Sequence, residues 1–426
     1  MSTKHYDIII IGGGISGLYS AYNIKKMSPK TNFIILEQHK KKWIGGRINN
    51  ETFYGVKIVT GAGIGRKKKD ILLINLLKEL NVPYEEYLVN KHYASTVQNP
   101  IDITETINLL KNKYDKYIVK PRVTFKEFAT NILGIETYKN FVISSGYSDY
   151  ENEDIYESLY NYGFDDNISG WKGLLIPWSI LIDKLVKNIG INNIKTSTKV
   201  TNIDIIDKNN YNYICDKFIV NTDNGEKYIT SKVIIATTIS SVLKLIPGAQ
   251  NKNSIYKQIK GQTFLRMYGK FAKESISIMK KYVPTQTIVN GPIYKIIPID
   301  SEKGVYMIGY NDNKGAYYFK DYLENNEENR DFWCKMIEKS LGISKSESDF
   351  IKLIAIKDFY WPIGTHYYTP LKGPYKNRDD FIRIAQNPMH NMVIVGEMIS
   401  LNQGWTEGAL ESVKEVVTKK WINEIC

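Results

Sequence analysis

Short, uninterrupted runs of apolar and β-branched residues recur at the start, the middle and the end of the chain. They are YDIIII at 6–11, FIIL at 33–36, KVIIATT at 232–238 and NMVIVGE at 391–397. Runs that are apolar on both faces are typical of buried parallel strands. A helical pattern follows the first run to about Met27, where Pro29 and Lys30 break it. The first two runs and this helix predict a βαβ unit.

The segments between these runs have other patterns. Helical spacing dominates 70–164, a further helix is predicted over 179–190, and 193–239 is strand-like with a turn at 223–225. Residues 251–350 mix strands and helices, and a last helix runs from about Thr406 to Trp421. Buried parallel-type strands alternate along the chain with segments of helices and mixed strands. We therefore predict an α/β fold with two domains of the α+β kind. These are a Rossmann-like dinucleotide-binding domain over 1–69, 165–245 and 356–426, and an interleaved substrate-binding domain of mixed sheet and helices over 70–164 and 246–355.

Composition and charge narrow the class of protein. Of the 426 residues, 43% are hydrophobic and 24% are charged, which is ordinary for a globular protein and excludes a mainly disordered chain. Lys and Arg number 57 against 45 Asp and Glu, so the net charge is +12. A positive balance favours anionic partners, nucleic acid among them. Lys, Ile, Asn and Tyr are all abundant, as expected of an AT-rich genome, so codon bias is the simpler explanation and nucleic-acid binding the weaker one.

Cysteine and histidine offer no metal chemistry. Cys215, Cys334 and Cys426 are too few and too scattered for a disulfide scaffold or a zinc site, and the five histidines lack metal-binding spacing. We therefore expect no metal. No stretch approaches the ~18–20 apolar residues of a membrane span. The first strand begins almost at the N-terminus, so we expect no signal peptide, no tail anchor and a soluble, intracellular protein.

A glycine-rich turn, GGGISG at 12–17, joins the first strand to the first helix. Gly12 lets the chain turn tightly, Gly14 lets the backbone approach a pyrophosphate, and Gly17 lets helix and strand pack closely. The phosphates would lie on the first helical turn, beside Ile15 and Ser16, where free N–H groups favour anions. Glu37 ends the second strand, where its carboxylate can accept hydrogen bonds from both ribose hydroxyls. These features predict a dinucleotide site but do not choose between FAD and NAD.

Four further motifs follow in order. They are GGR at 45–47, TGAGIGR at 60–66, IVGE at 394–397 and GWTEGALES at 404–412. In this order they resemble the flavin-containing amine oxidase superfamily, which includes monoamine and polyamine oxidases, L-amino-acid oxidases, flavin histone demethylases and protoporphyrinogen oxidases. The resemblance implies FAD as the cofactor. No cysteine of the family type precedes Gly404, so FAD should be bound non-covalently.

The resemblance also assigns cofactor contacts. Gly45, Gly46 and Arg47 would leave room beside the pyrophosphate and place a cation near it. Thr406 would begin a helix whose N-terminus faces the flavin N1–C2=O edge. The other contacts that the resemblance implies are the small residues Gly61, Ala62 and Gly63 under the flavin ring, Val200 at the adenine, and Gly396 with Glu397 near the ribityl or phosphate region.

The family flanks its flavin with two aromatic walls. Trp405 of the GW pair, which is frequent in L-amino-acid oxidases, would form one wall. The segment FYWPIGTHYYTPL at 359–371 would supply the other, with His366 or Tyr367 facing the flavin and Trp361 close behind. Aromatic walls exclude water and favour the neutral amine over its ammonium form.

Two departures from the family pattern concern charge. The strand FLRMYGKF at 264–271 places Arg266 where the family has a lysine beside flavin N5, with Lys270 as the alternative on the same strand face. Arginine stays charged and cannot act as a base. The carboxylate-binding arginine of L-amino-acid oxidases has no clear counterpart. Arg66 could serve only if the loop differs, and a solvated charge cluster is the alternative.

The resemblance implies an FAD-dependent oxidase whose partners are a small-molecule amine and O2. Hydride would pass from the substrate to flavin N5, the imine would hydrolyse, and O2 would be reduced to peroxide. Two alternatives stay open. One is a flavin enzyme of the same fold acting on carbon–carbon bonds, as porphyrinogen oxidases and desaturases do, and the other is a catalytically degenerate FAD-binding protein. The particular amine and the oligomeric state are not predicted.

Overall fold

The computed structural model describes residues 4–164, 168–206 and 217–424. Its strands are β1 Lys4–Ile11, β2 Phe33–Leu36, β3 Asn50–Phe53, β4 Val56–Val59, β5 Gly65–Arg66, β6 Glu85–Val89, β7 Lys91–Tyr93, β8 Trp171–Leu175, β9 Ile194–Lys195, β10 Val200–Ile206, β11 Lys217–Thr222, β12 Lys227–Ile235, β13 Ile259–Phe271, β14 Gln286–Ile288, β15 Lys295–Asp300, β16 Val305–Asp312, β17 Leu353–Tyr368 and β18 Met392–Ile394. Its helices are α1 Ile15–Met27, α2 Ile71–Glu79, α3 Ile103–Asp115, α4 Phe125–Leu133, α5 Ile135–Ser145, α6 Ile155–Glu157, α7 Trp178–Ile189, α8 Ile239–Leu245, α9 Ile276–Tyr282, α10 Asn313–Tyr318, α11 Glu327–Leu341, α12 Lys345–Ser348, α13 Arg378–Ala385, α14 Thr406–Val416 and α15 Lys419–Asn423.

The apolar runs at the start, middle and end of the chain form one sheet. Strand β1 pairs in parallel with β12 on one side and with β2 on the other, and β18 pairs in parallel with β12. The antiparallel strands β10 and β11 extend the sheet from the first half of β12. Apolar clusters cover both faces, which explains why these strands carry no polar alternation. The predicted Rossmann-like arrangement is confirmed.

A second, six-stranded sheet has the order β17-β13-β16-β15-β14-β7. Strands β13 and β17 are 13 and 16 residues long and pair antiparallel along most of their length. Strand β17 crosses position 356, which we placed at the start of a dinucleotide-binding segment, so 356–368 belong to this mixed sheet. The other residue limits of the two domains stay predictions.

Two local expectations are incomplete. Residues 70–164 are mainly helical, with α2–α6, but they also contain β6 and β7, which pair with β8 and β14 respectively. Strand β6 is mostly exposed, so its sequence lacks the apolar alternation of a half-buried strand. The last helix is broken at Thr418, whose hydroxyl accepts a hydrogen bond from the Trp421 amide and begins α15.

The structure bears on two further expectations, which concern the cysteines and a membrane-spanning helix. Cys334 is a buried free thiol on α11, while Cys215 and Cys426 lie outside the described residues. Along the described ranges, no helix combines the length and the apolar character needed to cross a bilayer.

A buried ion cluster joins the helical segment to the end of β17. The guanidinium of Arg378, on α13, donates to Glu157 Oε1 at 3.1 Å and to Asp154 Oδ2 at 3.3 Å. It also donates to the Thr369 carbonyl at 3.0 Å. All three charged side chains are buried, so each carboxylate depends on this cation for compensation.

We predict that Arg378→Met lowers the free energy of unfolding by about 3 kcal/mol, because it leaves two buried carboxylates without their cation. Urea unfolding followed by circular dichroism measures this. Arg383→Met is the matched control on the same helix, since Arg383 is exposed and forms a surface ion pair with Asp380. The unfolding midpoint of this variant should barely change. Equal effects of the two substitutions would contradict the structural role of the cluster.

Candidate functional site

A cavity of about 920 Å³ lies at the carboxyl ends of the parallel strands and extends to the second sheet. The segments that follow β1, β2, β12 and β18 all contribute to its wall, as ligand sites in open parallel sheets do. The predicted cofactor residues on the wall are Gly12, Gly14, Ile15, Ser16, Glu37, Gly45, Gly46, Arg47, Gly61, Ala62, Gly63, Val200, Gly396, Glu397, Trp405 and Thr406. The sequence motifs thus meet in one place.

The three glycines of the turn have different surroundings. A Cβ on Gly12 would lie 2.4 Å from the Ala236 carbonyl oxygen, and one on Gly17 would lie 2.0 Å from the Gly12 carbonyl oxygen. A Cβ on Gly14 would meet no atom within 4 Å. Gly12 and Gly17 are therefore required by close packing, whereas Gly14 leaves open space at the N-terminus of α1, and Gly17 is not on the cavity wall.

The Glu37 carboxylate is buried and held by the backbone on both oxygens. Oε2 accepts from the Gly13 amide and Oε1 from the His39 amide, each at 2.7 Å. A carboxylate has about four acceptor positions, so both oxygens keep capacity for ribose hydroxyls. Val200, at the start of β10, lies on the same cavity wall.

A second buried carboxylate, Glu397, connects three distant segments. Oε1 accepts from Arg47 Nη1 at 2.8 Å and lies 2.6 Å from His366 Nδ1. Oε2 accepts from the Gly404 amide at 2.9 Å. Burial alone would raise the pKa of Glu397, but the adjoining His366 ring, the Arg47 charge and these hydrogen bonds lower it to about 2. The carboxylate therefore stays ionised and fixes the loop before Trp405.

The resemblance implied that His366 or Tyr367 faces the flavin, but neither residue lies on the described wall of the large cavity. His366 is buried behind the wall, where Nε2 accepts from the Ile239 amide at 3.2 Å and Nδ1 is left to donate to Glu397. Strand β17 lines that wall with 360–365 instead. Trp361 is on that wall, and its Nε1 donates to the Thr60 carbonyl at 2.7 Å.

Arg266, and not Lys270, reaches the cavity. Its guanidinium is buried, donates from Nε to the Gly61 carbonyl, and donates from Nη2 to the Tyr310 hydroxyl at 3.1 Å. Its carbon Cζ lies 4.0 Å from the centre of the Tyr310 ring. The Lys270 ammonium donates instead to the Phe271 carbonyl at 2.8 Å. A register shift in the pairing of β13 with β16, between Met267 and Tyr268, separates the two positions.

Arg66 is neither a carboxylate clamp on the cavity wall nor part of a solvated cluster. It is buried, its Nε and Nη2 donate to Asp70 Oδ1 at 3.0 and 2.9 Å, and it stacks on Trp405 with Cζ 3.7 Å from the ring centre. Arg66 is absent from the described cavity wall, whereas Trp405 is on it. The guanidinium therefore supports the tryptophan from behind.

Several cavity residues were missed by sequence reasoning. They include Tyr147, Asp149, Tyr162, Tyr310 and Gln403. Tyr147 packs edge-on against Tyr310 with ring centres 5.4 Å apart, and Tyr310 pairs with Arg266 across β13 and β16. Their positions depend on strand pairing between remote segments, and no local spacing marks them. Alternation along β16 is the one sequence signal that could have suggested Tyr310.

Comparisons with known proteins agree with this arrangement. Residues 10–80 match the family of NAD(P)-binding Rossmann-like domains. The structure of wild-type putrescine oxidase bound to putrescine aligns with a TM-score of 0.74 and 13% identity, covering 98% of this chain and 99% of that one. A double mutant from a redesign of cofactor binding in putrescine oxidase aligns with a TM-score of 0.73, at the same identity and coverage.

A sequence relative is known in a virus. An uncharacterized protein of Acanthamoeba polyphaga mimivirus is 21% identical over 491 aligned residues, which cover 97% of this chain and 93% of that protein. Together, the comparisons show a Rossmann-like domain within the fold of putrescine oxidase. The resemblance to the flavin-containing amine oxidases is thereby confirmed at the level of the fold.

We predict that Glu397→Gln changes the acid dependence of stability. The pKa of Glu397 is lower in the folded state, so its contribution is complete above about pH 4.5 and is lost as the pH falls towards 2. The difference in unfolding free energy between wild type and variant should therefore shrink by about 2 kcal/mol between pH 6 and pH 3. Urea unfolding at each pH measures it, and a difference independent of pH would contradict the lowered pKa.

Proposed function

We propose that the protein is an FAD-dependent oxidase of amines. It would take two electrons from an amine C–N bond, release an imine that hydrolyses, and use O2 as the final oxidant with peroxide as product. The observation that carries this proposal is the single cavity on which the glycine turn, Glu37, Gly61–Gly63 and Trp405 all lie. The fold shared with putrescine oxidase supports the same substrate class.

The cavity wall fits a flavin dinucleotide. The N-termini of α1 and α14 both border the cavity, so their free N–H groups can bind the pyrophosphate and an anionic ring edge. Gly14 has open space beside it, and a Cβ on Gly63 would meet only the Arg266 guanidinium, 3.5 Å away. No cysteine is on the described part of the wall, which favours non-covalent FAD.

Bound FAD would supply a two-electron acceptor for hydride from the substrate carbon. The chain's own residues would prepare the amine for this transfer. The indoles of Trp361 and Trp405 would exclude water and disfavour the ammonium form. Arg266 keeps a fixed positive charge beside Gly61, where it stabilises negative charge and opposes a bound cation. Glu397 would act at a distance, since it positions Arg47 and the Gly404 amide.

The carbon–carbon oxidoreductase alternative has one specific observation in its favour. The resemblance assigns Arg266 to the position of the family's lysine, and the guanidinium donates to the Gly61 carbonyl and the Tyr310 hydroxyl. A fixed cation at this place does not need an amine substrate and cannot relay a proton as lysine can. This alternative predicts a flavin that amines do not reduce.

We predict that Gly14→Val folds normally but loses the flavin, because its Cβ would meet no atom within 4 Å and the side chain would take up space that the pyrophosphate needs. The visible absorbance of the purified variant near 450 nm, after incubation with FAD, and the melting temperature of its cofactor-free form measure the two effects.

Gly17→Ala is the matched comparison. Its Cβ would clash with the Gly12 carbonyl, so it should lower the melting temperature of the cofactor-free protein itself. Retention of FAD by Gly14→Val would contradict the proposed phosphate position.

The proposed reaction is tested by mixing the yellow holoprotein anaerobically with monoamines, polyamines and amino acids. We expect one class to bleach the flavin, and subsequent aeration to produce peroxide together with the imine-derived aldehyde or keto acid. Bleaching by a porphyrinogen or another carbon–carbon substrate alone would favour the alternative function. A colourless protein that cannot be reconstituted with FAD would contradict both.

A further inference from the structure

The loop between α3 and α4 presents two aliphatic side chains almost entirely to solvent. Ile118 is 101% exposed and Val119 is 84% exposed, and Tyr117 beside them is exposed as well. Along the part of the chain that the structure describes, Ile118 and Val119 belong to none of the apolar clusters. Single apolar residues are normal on a surface, but a contiguous apolar patch that the fold does not use indicates a binding surface.

Exposed tyrosine rings extend this apolar surface beneath the loop. Tyr117 packs against Phe128 with ring centres 6.1 Å apart. The buried ring of Tyr114 connects Phe128, 5.8 Å away, with the exposed rings of Tyr156 and Tyr160, at 6.4 and 6.2 Å. The rings and the loop thus form one continuous surface. We call it the tyrosine patch and define it as Tyr117, Ile118, Val119, Tyr156 and Tyr160.

Positive charge surrounds the tyrosine patch. Residues 109–127 contain six lysines and arginines and two acids, Asp115 and Glu127, so their net charge is 6 − 2 = +4. Glu127 is used locally, because it caps the start of α4. The Lys120 ammonium lies 5.1 Å from the centre of the Tyr114 ring, and the Lys111 ammonium lies 5.3 Å from that of Tyr160. The other basic side chains of this stretch are exposed, and they are Lys113, Lys116, Arg122 and Lys126.

We propose that the tyrosine patch binds the surface of an anionic lipid bilayer. Ile118 and Val119 would enter the boundary between headgroups and acyl chains, and the tyrosine rings would lie at the level of the headgroups. The surrounding lysines and arginines would meet the anionic headgroups, which is the charge complementarity that selects this partner. An apolar tip of three residues spans roughly 10 Å, which suits this depth of insertion.

Single-stranded nucleic acid is the nearest rival partner, since lysines and tyrosines serve it as well. Its bases stack on flat aromatic rings, whereas the most exposed side chains of the patch, Ile118 and Val119, are aliphatic. The rings of Tyr156 and Tyr160 already pack on each other, with centres 4.9 Å apart, so no base enters between them. Aliphatic side chains instead gain free energy by moving from water into hydrocarbon. The patch therefore fits lipid better.

The inference is independent of the proposed function. None of the residues of the tyrosine patch is on the described wall of the large cavity, so docking would leave that wall unobstructed. Tyr162, two positions after Tyr160, is on the wall and donates to Asp149 Oδ1 at 2.8 Å. The bilayer would thus be held near the Tyr162 side of the cavity. Lipid binding is measured without any amine, so its failure and that of the proposed oxidase are separate results.

The test measures co-sedimentation of the full chain with lipid vesicles. One preparation is phosphatidylcholine alone, and the other contains about 30% phosphatidylserine. We expect the partition coefficient to be at least roughly tenfold higher on the anionic vesicles, because each lysine or arginine near the surface adds to the attraction. Equal partitioning onto both preparations would overturn the proposal.

Ile118→Asp separates docking at the patch from diffuse attraction of a chain with net charge +12. Because Ile118 is fully exposed, the melting temperature should not change. Partitioning onto the anionic vesicles should fall at least roughly tenfold, since a carboxylate replaces an inserted apolar side chain. Ile191→Asp is the matched control, because it makes the same change at an exposed isoleucine that follows α7, and it should have a far smaller effect. Equal losses in the two variants would overturn the proposal.

A fluorescent oligo(dT) strand tests the rival partner. We expect its fluorescence anisotropy to report the same affinity for Ile118→Asp as for Ile191→Asp, since diffuse charge alone would bind it. Strand binding that Ile118→Asp abolishes, and that anionic vesicles do not displace, would overturn the lipid proposal and assign the patch to nucleic acid.

Discussion

The buried carboxylate of Glu397 is the interaction on which the site depends. An ionised acid without water or partners is costly, so the segments that supply its donors must meet there. Those donors come from Arg47 near the start of the chain, His366 at the end of β17, and the Gly404 amide. Arg47 also donates to the Gly364 carbonyl at 2.8 Å, which ties the first sheet's glycine motif to the second sheet. One ionised group thus joins both sides of the large cavity.

A second set of charged side chains, Arg66, Asp70 and Glu407, fixes the position of Trp405 on the cavity wall. Asp70 precedes α2 but uses both carboxylate oxygens on Arg66, so it leaves the first amides of α2 without a cap. Glu407, on α14, accepts from the Leu72 and Leu73 amides instead, at 2.7 and 2.9 Å. The helix that begins after Trp405 is therefore attached to α2. Because Arg66 packs on Trp405, the indole has little freedom to turn, which is what a rigid wall requires.

The sequence predicted single strands, helices and turns, but it missed side-chain positions that depend on how remote segments pair. Strand β2 and helix α1 end where their apolar patterns end. The glycine turn could be predicted because the close contact it requires, between Gly17 and Gly12, joins residues near each other in the sequence. His366 was misplaced because alternation on a 16-residue strand with register shifts does not say which face borders a cavity. Arg66 was misread because four consecutive basic residues look solvated, whereas one of them turns inward to an acid four positions on.

The contrast between overall and local charge bears on the substrate. A net charge of +12 repels cations at long range and by itself disfavours polyamines. On the wall of the large cavity, however, the cation Arg266 is at the Gly61 end, while Asp149 and the unpartnered oxygen of Gln403 share the wall with Gly404. At contact distance and with little water, such local groups outweigh a screened surface charge. The net charge of the whole protein therefore says less about its substrate than the local charge at each end of the cavity does.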